Sequence, residues 1–206
     1  MNLYQQWCLK KAKIKEERLF KFYNKREKIL DIGPGNGALN LLTRQSGFDI
    51  TCLDIVNKSA FPDITPILYD GERFPFEDNE FDVVQLITVL HHIKDPEKIL
   101  KEAMRVGKKI IIMEDIHSNI FQKYVTFAAD SINNWEFIGH PHTNKTDAQW
   151  REVFERFNLK VEKVEYYPFL FFFKQVTYVV RSLPQHVKTS NKPTSVGLYD
   201  QQRVRR

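Results

Sequence analysis

The apolar run Lys28-Ile29-Leu30-Asp31-Ile32 passes directly into Gly33-Pro34-Gly35-Asn36-Gly37, and the helix-compatible Ala38-Leu39-Asn40-Leu41-Leu42-Thr43 follows. Three glycines in five residues let a chain turn tightly and let a ligand approach the main chain. A strand, a glycine loop and a helix in immediate succession form the repeating unit of open α/β sheets, which bind ligands at such loops.

The downstream texture continues that rhythm. Residues 48–54 (FDITCLD), 64–69 (ITPILY), 81–87 (FDVVQLI) and 109–113 (KIIIM) read as strands, with Pro66 assigning the second of these to a sheet edge. Asp95-Pro96 predicts an N-cap and first turn for a helix through EKILKEAMRV. Four strand–helix alternations within 85 residues predict a parallel sheet with right-handed crossovers. Residues 2–27 read as a preceding helix, which we treat as a lid segment, and residues 28–183 as the main domain. Residues 117–145 read as an insertion carrying one helix and a polar loop with Trp135, His140 and His142. A helix over 146–157 with Thr146 as N-cap and a hairpin of 159–167 with 169–181 then close the fold. Residues 184–206 are polar, basic and aperiodic, and read as a flexible tail.

Charge narrows the partners. The net +5 of the 206 residues is unevenly placed: residues 1–28 hold nine basic and three acidic side chains, whereas residues 29–180 hold 16 basic and 22 acidic. The basicity belongs to the ends. Cys8 and Cys52 are too few for a disulfide framework or a zinc site, which fits a reducing compartment. No signal-like apolar core opens the chain, and its longest apolar run, Phe169–Phe173, is far shorter than a spanning helix. These features predict a soluble, cytoplasmic protein without a metal centre or transmembrane segment; oligomeric state is not encoded in any pattern.

The glycine loop admits two readings. Gly33, Gly35 and Ala38 satisfy G-x-G-x-x-G/A, a dinucleotide pattern. Asp31-x-Gly33-x-Gly35-x-Gly37 satisfies another, and the carboxylate separates them. It would repel a pyrophosphate but attract a cationic amino group.

The loop resembles motif I of class I S-adenosylmethionine-dependent methyltransferases, and the resemblance runs over about residues 28–180. It implies a Rossmann-like, doubly wound α/β fold: a mostly parallel seven-stranded sheet with a C-terminal antiparallel hairpin. It also implies S-adenosyl-L-methionine as cofactor, held by Asp31, Gly33, Pro34, Gly35, Asn36 and Gly37. Asp54, 17 residues after Gly37, would accept from ribose hydroxyls, with Ile55 beside it. Asp70-Gly71 would approach the adenine, and Ile87, within Leu86–Thr88, would run beside the methionine portion. The texture is closest to the small-molecule subgroup that includes quinone-biosynthesis enzymes.

Methyl transfer from a sulfonium needs chiefly a close, collinear acceptor. A general base helps where the acceptor carries a proton, and His91, His92 and Glu114 are the candidates, with Asp115 as Glu114's alternative. Trp135, His140 and His142 are candidate substrate contacts. Leu86-Ile87-Thr88-Val89-Leu90 replaces the Asn/Asp-Pro-Pro-Tyr/Phe of amino-methylating DNA enzymes, and no Pro-Cys supports a covalent cytosine mechanism. The expectation is therefore methyl transfer to an O, N or C atom of a small molecule. One alternative is an RNA or protein methyltransferase gripping its target through Lys10, Lys11, Lys13, Lys15 and Arg18. Another is a methyltransferase-like binding protein without catalysis.

Overall fold

The computed structural model describes residues 1–116, 145–169 and 173–183. The predicted tail 184–206, the insertion helix and Trp135, His140 and His142 lie outside the described residues. The described residues form α1 (Leu3–Leu19), β1 (Lys28–Ile32), α2 (Ala38–Gln45), β2 (Asp49–Asp54), β3 (Ile67–Leu68), β4 (Phe81–Ile87), α3 (Pro96–Val106), β5 (Gly107–Ile116), α4 (Asp147–Arg156), β6 (Leu159–Phe169) and β7 (Phe173–Ser182). The seven strands make one sheet in the order β3-β2-β1-β4-β5-β7-β6. Pairing is parallel from β3 through β5, and β7 runs antiparallel to both β5 and β6.

The period-two alternation of buried strands divides the core. Leu30, Val84, Leu86, Ile110 and Ile112 face α3 and α4 through Leu100, Ala103, Trp150 and Phe154. Ile29, Val83, Ile87, Ile111 and Met113 face α1 and α2 through Cys8, Leu19, Ala38 and Leu39. Each such aliphatic side chain removed from water contributes roughly 1.5–3 kcal/mol. The sheet is thus covered on both faces, as a parallel sheet requires.

The helix starts follow their caps. Asp95 Oδ1 accepts from Lys98 N at 3.2 Å ahead of Pro96. Thr146 and Gln149 form a reciprocal capping box, as do Asn2 and Gln5. Two expected boundaries are corrected. The first helix stops at Leu19 rather than continuing to residue 27, and gives way to a tight turn over Phe20–Phe22. There Phe20 and Tyr23 pack edge-on against Phe48, which draws the chain off the helical path toward β1. The third strand is only two residues long, because Pro66 lacks the N–H that would extend the ladder.

Candidate functional site

The strand order reverses between β1 and β4, and the loops leaving β1, β2 and β4 converge beside that switch point. Asp31 and Gln85 are register partners on these strands. Both are buried on the α1/α2 face. Asp31 Oδ2 accepts from Asn40 Nδ2 at 2.7 Å, while Oδ1 makes no hydrogen bond within normal limits. The Tyr23 hydroxyl donates to Gln85 Oε1. Burial pushes the Asp31 carboxyl up to about 6, against the opposing pull of Asn40, Gln85 and Lys15. A buried carboxylate with one oxygen unsatisfied fits a cationic ligand.

The glycine loop separates two roles. Gly33 has φ +70°, donates its N–H to Leu53 O at 2.9 Å, and lies so close to the loop after β4 that a Cβ would sit 2.4 Å from Val89 Cγ2. Gly35 has φ +56°, and a Cβ there would meet nothing within 4 Å. The first glycine lets two loops pack; the second faces open space that a ligand can enter. Pro34 O accepts from Gly37 N at 3.1 Å and Asn36 Oδ1 from Ala38 N at 3.0 Å, closing the turn onto α2.

Asp54 stands half-buried at the end of β2, where Oδ1 accepts from Ile55 N at 2.7 Å. Burial raises its pKa despite support from the Val56 and Ile55 amides. Tyr69 N donates to Asp54 O at 3.1 Å, which brings the loop after β3 alongside. A Cβ on Gly71 would lie 3.5 Å from the exposed Ile55 side chain. Exposed Asp70 accepts from Glu72 N at 2.8 Å, and that amide holds its carboxyl below the usual range. Asp54, Ile55, Asp70 and Gly71 thus line one rim beside the glycine loop.

Across the switch point, Thr88 leaves β4 at φ +53° and donates its N–H to Met113 O at 2.7 Å. Glu114 then anchors the following turn: Oε1 accepts from Val89 N at 3.1 Å and Leu90 N at 2.8 Å, and Oε2 meets His91 Nδ1 at 2.5 Å. Glu114 and His91 are buried; His92 is half-buried, its ring 4.0 Å from that of His91. Strand alternation puts Glu114 on the side of Ile110 and Ile112, opposite Asp31. Asp115 shares the Asp31 side, accepts from Gln175 Nε2 at 2.9 Å, and has its carboxyl pKa raised by burial. Ile87 is buried among the core residues beneath α1.

Helix α1 crosses this region with Lys15 and Arg18 turned inward. Lys15 Nζ donates to Thr88 Oγ1 at 2.8 Å. Burial lowers its pKa while Asp115, Asp31 and Glu114 hold it up. Arg18 Nη1 donates to Gln175 Oε1 at 2.6 Å, and the guanidinium lies 4.3 Å from the Tyr167 ring centroid. Two of the five basic residues assigned above to a phosphate-gripping surface therefore serve the interior instead. Tyr23, Asn40 and Gln85 are site neighbours that the motif reading did not single out; Lys15 was assigned there only to a phosphate grip, and Thr88 only to the stretch Leu86–Thr88. Gln85 was detectable as one amide inside the otherwise apolar run Val83–Ile87, and Lys15 by its helical spacing from Cys8, Ala12 and Leu19.

Residues 30–110 match a sequence family described as a methyltransferase domain. A demethylmenaquinone methyltransferase of Renibacterium salmoninarum is 30% identical over 123 residues, covering 52% of each chain. The match spans about half the length of the curated relatives. Among solved structures, an S-adenosylmethionine-dependent methyltransferase from Archaeoglobus fulgidus superposes with a TM-score of 0.67 at 13% identity, covering 84% of this chain and 94% of that one. The magnesium protoporphyrin IX methyltransferase of Synechocystis PCC 6803, solved with S-adenosylhomocysteine, gives 0.61 at 16% identity, covering 88% and 89%. At these identities the solved structures establish the fold.

Proposed function

We propose that this chain, which matches a methyltransferase-domain family over residues 30–110, is a class I S-adenosylmethionine-dependent methyltransferase that transfers a methyl group to an O, N or C atom of a small molecule. The observation that carries this reading is the buried Asp31 with its unsatisfied oxygen, set beside the open side of Gly35 and followed by Asp54 at the next strand end. A cationic amino acid joined to a ribose fits that spacing of charges; a pyrophosphate does not. The names of the relatives, which specify a demethylmenaquinone and a magnesium porphyrin, support a small acceptor with a large apolar body.

S-adenosyl-L-methionine, when bound, supplies an activated methyl group on sulfur. Asp31 would hold its ammonium end, Lys15 its carboxylate, Asp54 its ribose and the Ile55–Gly71 rim its adenine. Glu114 is a positioning residue, fixing the Val89–His91 turn, and His92 on that turn is the proton acceptor where the acceptor molecule carries one. Incubating the chain with methyl-labelled S-adenosylmethionine and a demethylated quinone tests the reading. Label should appear in the quinone; its absence with quinone and porphyrin acceptors alike would contradict it.

Two further outcomes follow. An ammonium prefers Asp31 ionised, and that carboxyl titrates near 6 in the free protein. Affinity for S-adenosylhomocysteine should therefore level off above pH 6 and fall up to about tenfold per pH unit below it. Asp31→Asn should weaken binding and flatten that profile in calorimetric titrations. The glycines should separate as well. Gly35→Ala should cost only about 1–2 kcal/mol of stability from its positive φ yet weaken cofactor binding more than about tenfold. Gly33→Ala should instead lower the melting temperature more strongly, because its Cβ meets Val89.

A further inference from the structure

We propose that the outer face of α1 docks the protein onto a bilayer surface bearing anionic lipid headgroups. The inner face of this helix buries Cys8, Ala12 and Leu19 against the body of the fold. On the outer face, Leu3 is 83% exposed, Trp7 45% and Ile14 50%. Their spacing of four and seven residues places them in one stripe. Tyr4, 56% exposed, stacks on Trp7 with ring centroids 6.2 Å apart. Among the described residues Leu3, Trp7 and Ile14 belong to neither buried core cluster, whereas the opposite side of the helix is buried. Large apolar side chains together with Trp and Tyr suit the boundary between headgroups and acyl chains.

The surrounding charge selects the kind of surface. Lys10 and Lys13 flank the stripe on one side and Lys11 on the other, with Lys11 Nζ 3.7 Å from the Trp7 ring centroid. Residues 1–28 carry nine basic and three acidic side chains, against 16 and 22 over residues 29–180. An anionic surface attracts residues 1–28 and repels residues 29–180; residues 181–206, with six basic and one acidic side chain, are attracted as well, and it is the apolar stripe that distinguishes α1 as the docking face. Among the described residues no helix is long and apolar enough to cross a membrane, and the contact is a peripheral one. Nucleic acid fits less well: the aromatic platforms Tyr4 and Trp7 stack on each other, Leu3 and Ile14 beside them offer no base-stacking surface, and Lys15 and Arg18 point inward. Docking through this face would bring the candidate site around Thr88, which Lys15 contacts, within about one helix diameter of the lipid. An apolar acceptor dissolved in that lipid would then have a short path, a consequence that rests on the function proposed above.

Co-sedimentation with vesicles of phosphatidylcholine alone, and of phosphatidylcholine with about 30% phosphatidylglycerol, tests the docking. The protein should pellet only with the anionic vesicles and should release as salt rises from roughly 50 to 500 mM. Trp7→Ser/Ile14→Ser and Lys10→Glu/Lys11→Glu should each weaken binding at least about tenfold. Both pairs are water-facing, and unchanged circular dichroism and S-adenosylhomocysteine affinity in the variants would separate docking from the cofactor site. Absence of binding to anionic vesicles would overturn the proposal, as would vesicle binding that Trp7→Ser/Ile14→Ser leaves intact. A single-stranded RNA that binds more tightly than the vesicles, through the lysines alone, would also overturn it.

Discussion

Replacing Glu114 by alanine is expected to lower the melting temperature by about 6–12 °C. The carboxylate is buried and satisfies two backbone N–H groups, of Val89 and Leu90, as well as His91 Nδ1. Its loss removes the acceptor that all three share, at a cost on the order of 3 kcal/mol. Glu114→Gln should behave differently. Its carbonyl oxygen can still accept from the two amides, and its NH2 can donate to a neutral His91, so stability should return close to that of the parent. Thermal melts followed by circular dichroism check the pair. On the proposed reading, in which this carboxylate positions the turn and does not touch the reacting atoms, turnover in Glu114→Gln should survive alongside the fold. Lost turnover at an unchanged melting temperature would place Glu114 in the chemistry instead.

The second large effect concerns Asp54. Two charge-assisted hydrogen bonds to ribose hydroxyls, at about 1.5–3 kcal/mol each, would be lost in Asp54→Ala. Weakening of S-adenosylhomocysteine binding by a factor on the order of 100 or more is expected. Some of that loss would come from Ile55 N, which donates to the same carboxylate at 2.7 Å and shapes the loop. Asp54→Asn, which keeps an acceptor for that amide, should recover part of it. Calorimetric titration of the two variants distinguishes loop support from ribose recognition.

Elements bounded by clear chemistry were legible in the sequence. β1 and β4 fall on the apolar runs KILDI and FDVVQLI because loops bracket both, and α3 begins where Asp95-Pro96 places it. β5 outran its apolar segment, continuing through Glu114 and Asp115 to Ile116. Two adjacent acids look like a strand end until their partners are known: the turn at Val89–His91 for one, and Gln175 for the other. Those partners are 23 to 60 residues away, beyond any local pattern. The same limit applied to Lys15. Its helical phase pointed inward, but a lysine is ordinarily read as solvated, and only the acids brought together across β1 and β5 offset part of the cost of burying its ammonium. The glycine loop was readable because its requirement is local: positive φ at Gly33, Gly35 and Gly37 is a property of the backbone itself.

Isothermal titration of the full chain with S-adenosylhomocysteine, and separately with NAD, addresses the cofactor assignment most directly. Binding of S-adenosylhomocysteine, lost on Asp54→Ala and weakened on Asp31→Asn, with no heat from NAD, is the expected result. Failure of S-adenosylhomocysteine to bind, NAD binding in its place, or affinity undiminished by either substitution would contradict the site.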